Sequence, residues 1–161
     1  MDGIKLFTDG SVNTKSKIGY GAYLVISENK LLSDSVNSGV KVKKFEETDS
    51  TKLELQTLLW ALSEIETDDN IIVFSDSQNV IGLPKRRNRL EQNNFSSKKK
   101  KLIKNYLLYQ EFYKMTDVTP CEFVKVDGHK KANHKNDIDW LFTLVDRASR
   151  KALRKYDKLE E

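Results

Sequence analysis

Residues 70–76 read Asn70-Ile71-Ile72-Val73-Phe74-Ser75-Asp76 and contain four consecutive apolar side chains. A short apolar run without alternation is typical of a strand covered on both faces, as in a sheet with helices on either side. An acidic residue, Asp76, follows the run directly. The pattern therefore predicts a buried strand inside a sheet, with a carboxylate at its end.

The chain upstream of this strand predicts a β-meander and then a helix. Three strands are expected, at Ile4–Thr8, Gly19–Ile26 and Leu31–Val42. Turn chemistry separates them at Asp9–Asn13 and Glu28–Lys30. From Thr51 to Ile65 the apolar residues recur at helical spacing, and Thr48, Asp49 or Ser50 can cap the start of this helix.

The chain downstream predicts three helices and one more strand. The first is a short helix over Ser77–Leu83 that is stopped by Pro84, and a longer helix follows over Lys98–Met115. A strand is expected over Glu122–Val126 and a loop over Asp127–Lys135. The final helix is expected over Asn136–Tyr156. We therefore expect an α/β fold, a five-stranded mixed sheet with helices on both faces. No linker divides the chain, so residues 1–161 are expected to form a single domain.

Composition limits the classes of protein to consider. Of the 161 residues, 32% are charged and 38% hydrophobic, a balance typical of a globular domain. No apolar run approaches the roughly 18 residues that span a bilayer, and the N-terminus does not resemble a signal peptide. The single cysteine, Cys121, excludes an internal disulfide. These features predict a cytoplasmic protein without a membrane partner, and we expect a monomer.

The positive charge is concentrated in one stretch, residues 84–105, which we call the basic protrusion. It holds nine Lys or Arg and one Glu, a balance of +8, so the rest of the chain carries −4 of the net +4. A run of charge is usually only a solvated face. Here Arg86, Arg87 and Arg89 precede Phe95 and then Lys98–Lys101, which favours a surface for a polyanion.

Three carboxylates follow or interrupt apolar runs. Asp9 and Asp76 are expected at strand ends, and neighbouring strands lie only about 4.8 Å apart. Glu54 lies between Leu53 and Leu55 on a helix stripe that should face the sheet. A buried carboxylate needs a partner, and a divalent cation such as Mg²⁺ would satisfy all three acids at once.

Each acid also has a simpler explanation. Asp9 before Gly10 could be only a turn residue, Asp76 a helix cap, and Glu54 an acid favoured by the helix dipole. The three together favour the metal site, because none of them falls on an exposed face.

Four segments resemble the motifs of type 1 ribonuclease H, in the same order along the chain. They are Phe7-Thr8-Asp9-Gly10-Ser11, Lys52-Leu53-Glu54-Leu55, Phe74-Ser75-Asp76-Ser77-Gln78 and Val126-Asp127-Gly128-His129. The resemblance extends from Ile4 to about Leu153. It implies a ribonuclease H-like fold and hydrolysis of the RNA strand of RNA–DNA hybrids, leaving 5′-phosphate and 3′-hydroxyl ends. It also implies two Mg²⁺ ions, with Mn²⁺ as an alternative, held by Asp9, Glu54 and Asp76.

The fourth carboxylate of that family has two candidates here. Spacing from His129 points to Asp139, whereas the residues that follow Asp146 are more similar to the family pattern, so we favour Asp146. The two acids are seven residues apart and project on nearly the same side of a helix. They are separated by roughly 10 Å along its axis, so only one of them can reach a given metal pair.

The resemblance also implies further site residues. His129 would orient water or move a proton, whereas His134 is taken as an ordinary loop residue. The expected contacts to the hybrid are Gly10, Ser11, Ser50, Thr51, Gln78 and Asn79, and in the basic protrusion Arg86, Arg87, Lys98, Lys99 and Lys100. The basic protrusion would hold the DNA strand by its phosphates without reading bases.

Two other functions compete with this one. A metal nuclease acting on DNA, such as a junction resolvase or transposase core, could share the fold, because fold alone does not set the substrate. An inactive domain that only binds RNA or hybrid would require the loss of at least one acid, and Asp9, Glu54 and Asp76 are all present.

Overall fold

The computed structural model describes residues 3–27, 39–127, 131 and 136–160. Its strands are β1 (Gly3–Asn13), β2 (Ile18–Ile26), β3 (Lys41–Phe45), β4 (Asn70–Ser75) and β5 (Cys121–Lys125). They form one sheet in the order β3-β2-β1-β4-β5. The pairs β1–β2 and β2–β3 are antiparallel, whereas β1–β4 and β4–β5 are parallel. The predicted mixed five-stranded sheet is confirmed, with the first and fourth strands adjacent.

The helices are α1 (Ser50–Glu64), α2 (Gln78–Ile81), α3 (Leu83–Gln92), α4 (Tyr106–Val118) and α5 (Asp137–Leu159). Asp49 caps α1, since its side chain accepts a hydrogen bond from the Lys52 N–H. The prediction for Pro84 was incomplete, because Pro84 lies in the first turn of a further helix, α3. A proline is tolerated there because the N–H that it lacks would have no partner within the helix.

The predicted helix over Lys98–Met115 was wrong in its first half. Residues 96–102 form a small turn structure closed by a bridge between Ser96 and Leu102, and Lys100 has a left-handed backbone with φ of 60°. Two large apolar side chains of the expected helix, Leu102 and Leu107, are 55% and 64% exposed. The turn is anchored by the buried ring of Phe95, whose N–H and C=O bond to Leu90 and Ile103.

The sheet has a hydrophobic core on each face, as predicted. On one face Leu6 packs in a cluster with residues of α1 and α4, including Leu58 and Phe112. On the other face its neighbour Phe7 packs with Phe74, which it stacks at 4.9 Å between ring centroids, and with the α5 residue Phe142. Because successive strand residues point to opposite faces, β1 serves both cores.

Strand β1 is longer than predicted and does not end at Asp9. The segment expected to form a turn, Asp9–Asn13, continues the strand and pairs with Ile18–Ala22 of β2. Its backbone groups therefore find partners in β2 beyond the point where β4 has ended. This correction places Asp9 in the middle of a strand.

Several expected segments lie wholly or mostly outside the described residues. These are the turn at Glu28–Lys30, most of the strand at Leu31–Val42 and most of the loop at Asp127–Lys135. Among the described ranges, none of the helices has the length and apolar character needed to cross a bilayer.

Candidate metal centre and nucleic-acid interface

Asp9 on β1 and Asp76 just beyond the end of the parallel strand β4 occupy equivalent positions relative to the pairing of the two strands. The last β1–β4 pair is Phe7 with Phe74, and each acid follows its phenylalanine by two residues. At this point β4 ends, while β1 continues paired with β2 on its other side. The two carboxylates therefore lie close together where β4 ends and β1 has no strand on that side.

Glu54 reaches the same place from α1. Ligand oxygens of Asp9, Glu54 and Asp76, which we call the carboxylate cluster, all lie within 4.8 Å of one another. Gly10 allows this approach, because a Cβ there would lie 2.9 Å from the Leu53 Cγ and 3.6 Å from the Glu54 Oε1. Gly10 therefore has a packing role beneath α1, whatever it contributes to substrate binding.

The electrostatics of the cluster favour a cation. Asp9 is only 5% exposed, and this burial is the main cause of its raised pKa. The negative charges of Glu54 and Asp76 raise the pKa further. Burial, and then the charge of Asp76, also raise the pKa of Glu54. The buried Glu54 Oε2 accepts no hydrogen bond from any described residue. An oxygen-only donor set with an unsatisfied buried oxygen fits a divalent metal ion.

Asp146 joins this cluster through Asp9. Their side chains are hydrogen-bonded, which contributes to the raised pKa of Asp9. The Asp146 carboxylate also forms an ion pair with Arg150, whose Nε lies 2.9 Å from its Oδ1. Sequence reasoning missed this arginine, although its position four residues after an acid on a helix was a usable signal.

Asp139, the competing candidate, has a different position. It is the third residue of α5 and completes a capping box with Asn136. Its N–H donates to the Asn136 side chain at 2.9 Å, and its Oδ2 accepts from the Asn136 N–H at 3.1 Å. This reciprocal pair satisfies two backbone donors at the helix start. The structure thus brings Asp146 to Asp9 and uses Asp139 in the cap.

Two of the small polar residues proposed to touch the substrate lie on α1 about one turn before Glu54. Ser50 and Thr51 are exposed at the start of α1, beside the capping residue Asp49. Lys104 of the basic protrusion reaches the same cap, with its Nζ 2.7 Å from the Asp49 Oδ2. This ion pair joins the start of α1 to the basic protrusion in one surface.

Three more predicted contact residues already have partners within the chain. The Ser11 and Ser149 hydroxyls share a hydrogen bond of 3.1 Å. The Gln78 Oε1 accepts from Lys125 Nζ at 2.9 Å, in an exposed position. The Asn79 Oδ1 accepts from Arg86 Nη2 at 2.8 Å. Ser11 is thus tied to α5, whereas Asn79 links the region after Asp76 to the basic protrusion.

The cations of the basic protrusion differ in their surroundings. The Arg87 guanidinium donates to both carboxylate oxygens of Asp117, at 2.6 and 2.8 Å, and to Glu91. By contrast, Lys98, Lys99 and Lys100 are exposed on the turn that follows Phe95. His129, the proposed proton-transfer residue, lies outside the described residues.

A mixed five-stranded sheet with the order β3-β2-β1-β4-β5 and acids converging beside its central strand defines a protein of the ribonuclease H-like fold. The chain belongs to the RNase H family, since the sequence model of that family, described as RNase H, matches residues 1–152. It is thus an enzyme of the ribonuclease H type, and the predicted family and fold are confirmed.

Curated relatives agree with this assignment. The chain is 27% identical over 148 residues to a ribonuclease H of Clostridium botulinum, covering 88% of this chain and 93% of that one. It is 24% identical over 147 residues to a ribonuclease H of Acetivibrio thermocellus, covering 89% and 94%.

Solved structures share the fold at lower identity. The solution structure of the PFV RNase H domain superposes with a TM-score of 0.74 at 17% identity, covering 94% of each chain. A foamy viral protease-reverse transcriptase in complex with dsDNA gives a TM-score of 0.68 at 13% identity, covering 92% of this chain and 94% of that one. At these identities the similarity concerns the fold.

Proposed function

We propose that this protein hydrolyses the RNA strand of RNA–DNA hybrids, using two divalent metal ions held by Asp9, Glu54, Asp76 and Asp146. The observation that carries the proposal is the carboxylate cluster, with its three acids within 4.8 Å and an unsatisfied buried oxygen on Glu54. The match to the RNase H family over residues 1–152 supports the substrate.

The metal ions determine the type of reaction. When bound, two such ions activate the attacking water and stabilise the leaving oxygen of a phosphodiester. We favour Mg²⁺, with Mn²⁺ as an alternative, because oxygen-only ligands suit both ions. The products would carry 5′-phosphate and 3′-hydroxyl ends.

The chain itself would position the substrate and move protons. Ser50 and Thr51 lie about one turn before Glu54 on α1, and Gln78 and Asn79 begin α2 just after Asp76. Their polar side chains suit contacts to 2′-hydroxyls in the wide minor groove of a hybrid. His129 is proposed to carry a proton at the cleavage point, because an imidazole changes charge near neutral pH.

The basic protrusion would hold the DNA strand. Lys98, Lys99 and Lys100 stand exposed on one turn, and Lys104 connects that region to the start of α1. These lysines would contact phosphates rather than base edges, so we expect affinity to depend on salt and only weakly on sequence. We expect the protein to act as a monomer.

The test compares three end-labelled duplexes of one sequence in the presence of Mg²⁺: RNA–DNA hybrid, double-stranded RNA and double-stranded DNA. We expect cutting of the RNA strand in the hybrid alone, and loss of cutting in Asp76→Asn. Cutting of double-stranded DNA would instead favour a DNA nuclease, and no cutting by the unmodified chain would refute the proposal.

A further inference from the structure

The exposed residues in the second half of α5 are all cations, apart from Leu159 at its C-terminal end. From residue 147 to residue 158, every exposed position is Lys or Arg, and the positions between them are buried or half-buried. The exposed set, which we call the α5 basic face, is Arg147, Arg150, Lys151, Arg154, Lys155 and Lys158. At 100° per residue these six side chains lie within an arc of roughly 140° on the helix, opposite the side that packs on the sheet.

Helix stability does not explain this face. Like charges four residues apart disfavour a helix, and the face contains four such pairs, beginning with Arg147 and Lys151. The helix dipole favours cations only in the last turn, which excludes Arg147, Arg150 and Lys151.

An ordinary solvated helix of the same protein looks different. The exposed positions of α4 are mixed in chemistry and sign: Leu107, Gln110, Glu111, Lys114, Asp117 and Val118. The uniform charge of α5 is therefore a specific feature of that helix.

The α5 basic face begins at the carboxylate cluster. Arg150 contacts Asp146 at 2.9 Å, and Asp146 is hydrogen-bonded to Asp9. From Arg147 to Lys158 the helix rises ~17 Å. Successive phosphates of one strand are about 3.4 Å apart along a duplex axis, so the face spans about five of them.

This face and the basic protrusion lie on opposite sides of the sheet. Phe95 of the basic protrusion packs in the core with α1 and α4, whereas Val145 of α5 packs in the core on the other face. Glu54 enters the carboxylate cluster from α1, on the face of the basic protrusion, whereas Asp146 approaches Asp9 from α5 on the other face. A nucleic acid that crosses the cluster would leave the basic protrusion on one flank and meet α5 on the other.

We propose that the α5 basic face is a second nucleic-acid-binding surface, which contacts backbone phosphates of the substrate on the flank of the cleavage point away from the basic protrusion. This proposal rests on the proposed function, because it takes the cut nucleic acid as the ligand. The face lacks exposed aromatic and apolar side chains, so its contacts are to phosphates and do not depend on sequence.

The test neutralises four members of the face that do not contact the cluster: Lys151→Gln, Arg154→Gln, Lys155→Gln and Lys158→Gln in one chain. A charge-conserving variant with Lys151→Arg, Arg154→Lys, Lys155→Arg and Lys158→Arg is the matched control. The substrate is a duplex with a short central RNA block that fixes the cleavage point, and its flanks are lengthened separately on either side.

We expect the neutralised variant to show a several-fold higher KM with little change in kcat. This rise should depend on the length of one particular flank, the one that reaches α5, and not on the length of the other. The plot of log KM against log salt should become shallower by roughly two to four, because each phosphate that a cation neutralises adds about 0.9 to the slope. The control should behave like the unmodified chain, and both variants should keep its unfolding temperature within a few degrees.

The outcomes separate the two proposals. If the unmodified chain cuts the hybrid and the neutralised variant has the same KM and salt dependence with both flanks long, the α5 basic face is not a substrate surface, and an acidic protein becomes the better partner. If the unmodified chain does not cut the hybrid, the proposed function fails first. An equal rise in KM for short and long flanks would also overturn the inference.

Discussion

Asp9 and Asp146 are 137 positions apart in the chain, yet their carboxyl groups are hydrogen-bonded to each other. This contact joins the central strand to α5 at the carboxylate cluster. The other candidate, Asp139, lies two helical turns away in a capping box. The position of α5 on the sheet therefore favours Asp146 over Asp139 as the proposed fourth ligand.

From this relationship we predict that Asp146→Asn lowers kcat by roughly 100-fold or more, the scale expected when one charged group of an active site is removed. Asp139→Asn should keep most of its activity. It should instead destabilise the fold by about 1 kcal/mol, because the reciprocal cap is weakened. Steady-state cleavage of a hybrid with Mg²⁺ and thermal unfolding of both variants measure the two effects. If Asp139→Asn is the inactive variant, our choice of ligand is wrong.

Much of the fold could be predicted from the sequence because its signals are local. The apolar run ending at Phe74 predicts β4 correctly, and the helical spacing from Thr51 predicts α1 to within one residue at each end. The helix expected from Lys98 failed because a tertiary contact opposes local propensity. Lysines favour helix, but the buried Phe95 holds the chain in a turn.

The candidate site was likewise predictable from the sequence only in part. The carboxylate cluster was predictable because each of its acids adjoins an apolar run. The strand position of Asp9 was not, since it depends on pairing with Ala22 across the hairpin. The contact of Arg150 with Asp146 and the uniform charge of the α5 basic face depend on which side of α5 faces the sheet, which only packing decides.

A second prediction concerns Glu54, whose buried Oε2 lacks a hydrogen-bond partner among the described residues. Glu54→Gln should abolish activity, yet without metal it should raise the free energy of unfolding by roughly 1–3 kcal/mol, the cost of an unsatisfied buried polar group. The amide cannot ionise, so it never adds negative charge to the cluster, and it can donate a hydrogen bond to Asp9 or Asp76.

Thermal unfolding with a chelator, and again with saturating Mg²⁺, measures this effect. The unmodified chain should gain stability from Mg²⁺ by mass action, whereas the variant should gain much less. Glu111→Gln, on an exposed face of α4, is the control and should change neither quantity. A Glu54→Gln protein that is less stable than the unmodified chain in chelator would contradict the prediction.

A third prediction follows from the raised pKa values of Asp9 and Glu54. A carboxyl group whose pKa is higher in the folded state holds its proton more tightly there, so the folded state binds more protons than the unfolded state. The stability of the metal-free protein should therefore fall as pH rises above about 4, the ordinary carboxyl range, and continue to fall up to the raised pKa values.

Urea unfolding at several pH values in chelator tests this. Saturating Mg²⁺ should flatten the dependence, since a bound cation replaces the protons, and so should the double variant Asp9→Asn with Glu54→Gln. A metal-free protein whose stability rises steadily with pH over the same range would show that the cluster does not repel itself.

The last prediction concerns the exposed turn of the basic protrusion. Replacing Lys98, Lys99, Lys100 and Lys101 with alanine should raise the apparent KM for the hybrid several-fold and largely spare kcat, because in our proposal these lysines contact phosphates away from the cleavage point. The salt dependence of KM should become shallower by about 0.9 for each phosphate that the variant no longer neutralises.

Arg87→Ala provides a contrast within the same protrusion. Its guanidinium is held by Asp117 and Glu91, so little of its charge is available to the substrate. We expect a smaller rise in KM than for the lysine variant, and a stability loss of about 0.2–1 kcal/mol, typical of an exposed ion pair that links two helices. Steady-state kinetics at two salt concentrations, with thermal unfolding alongside, distinguish the two. An unchanged KM for the lysine variant at moderate salt would show that the turn does not contact the substrate. A larger rise in KM for Arg87→Ala than for the lysine variant would show that Arg87 leaves its acidic partners and binds the nucleic acid.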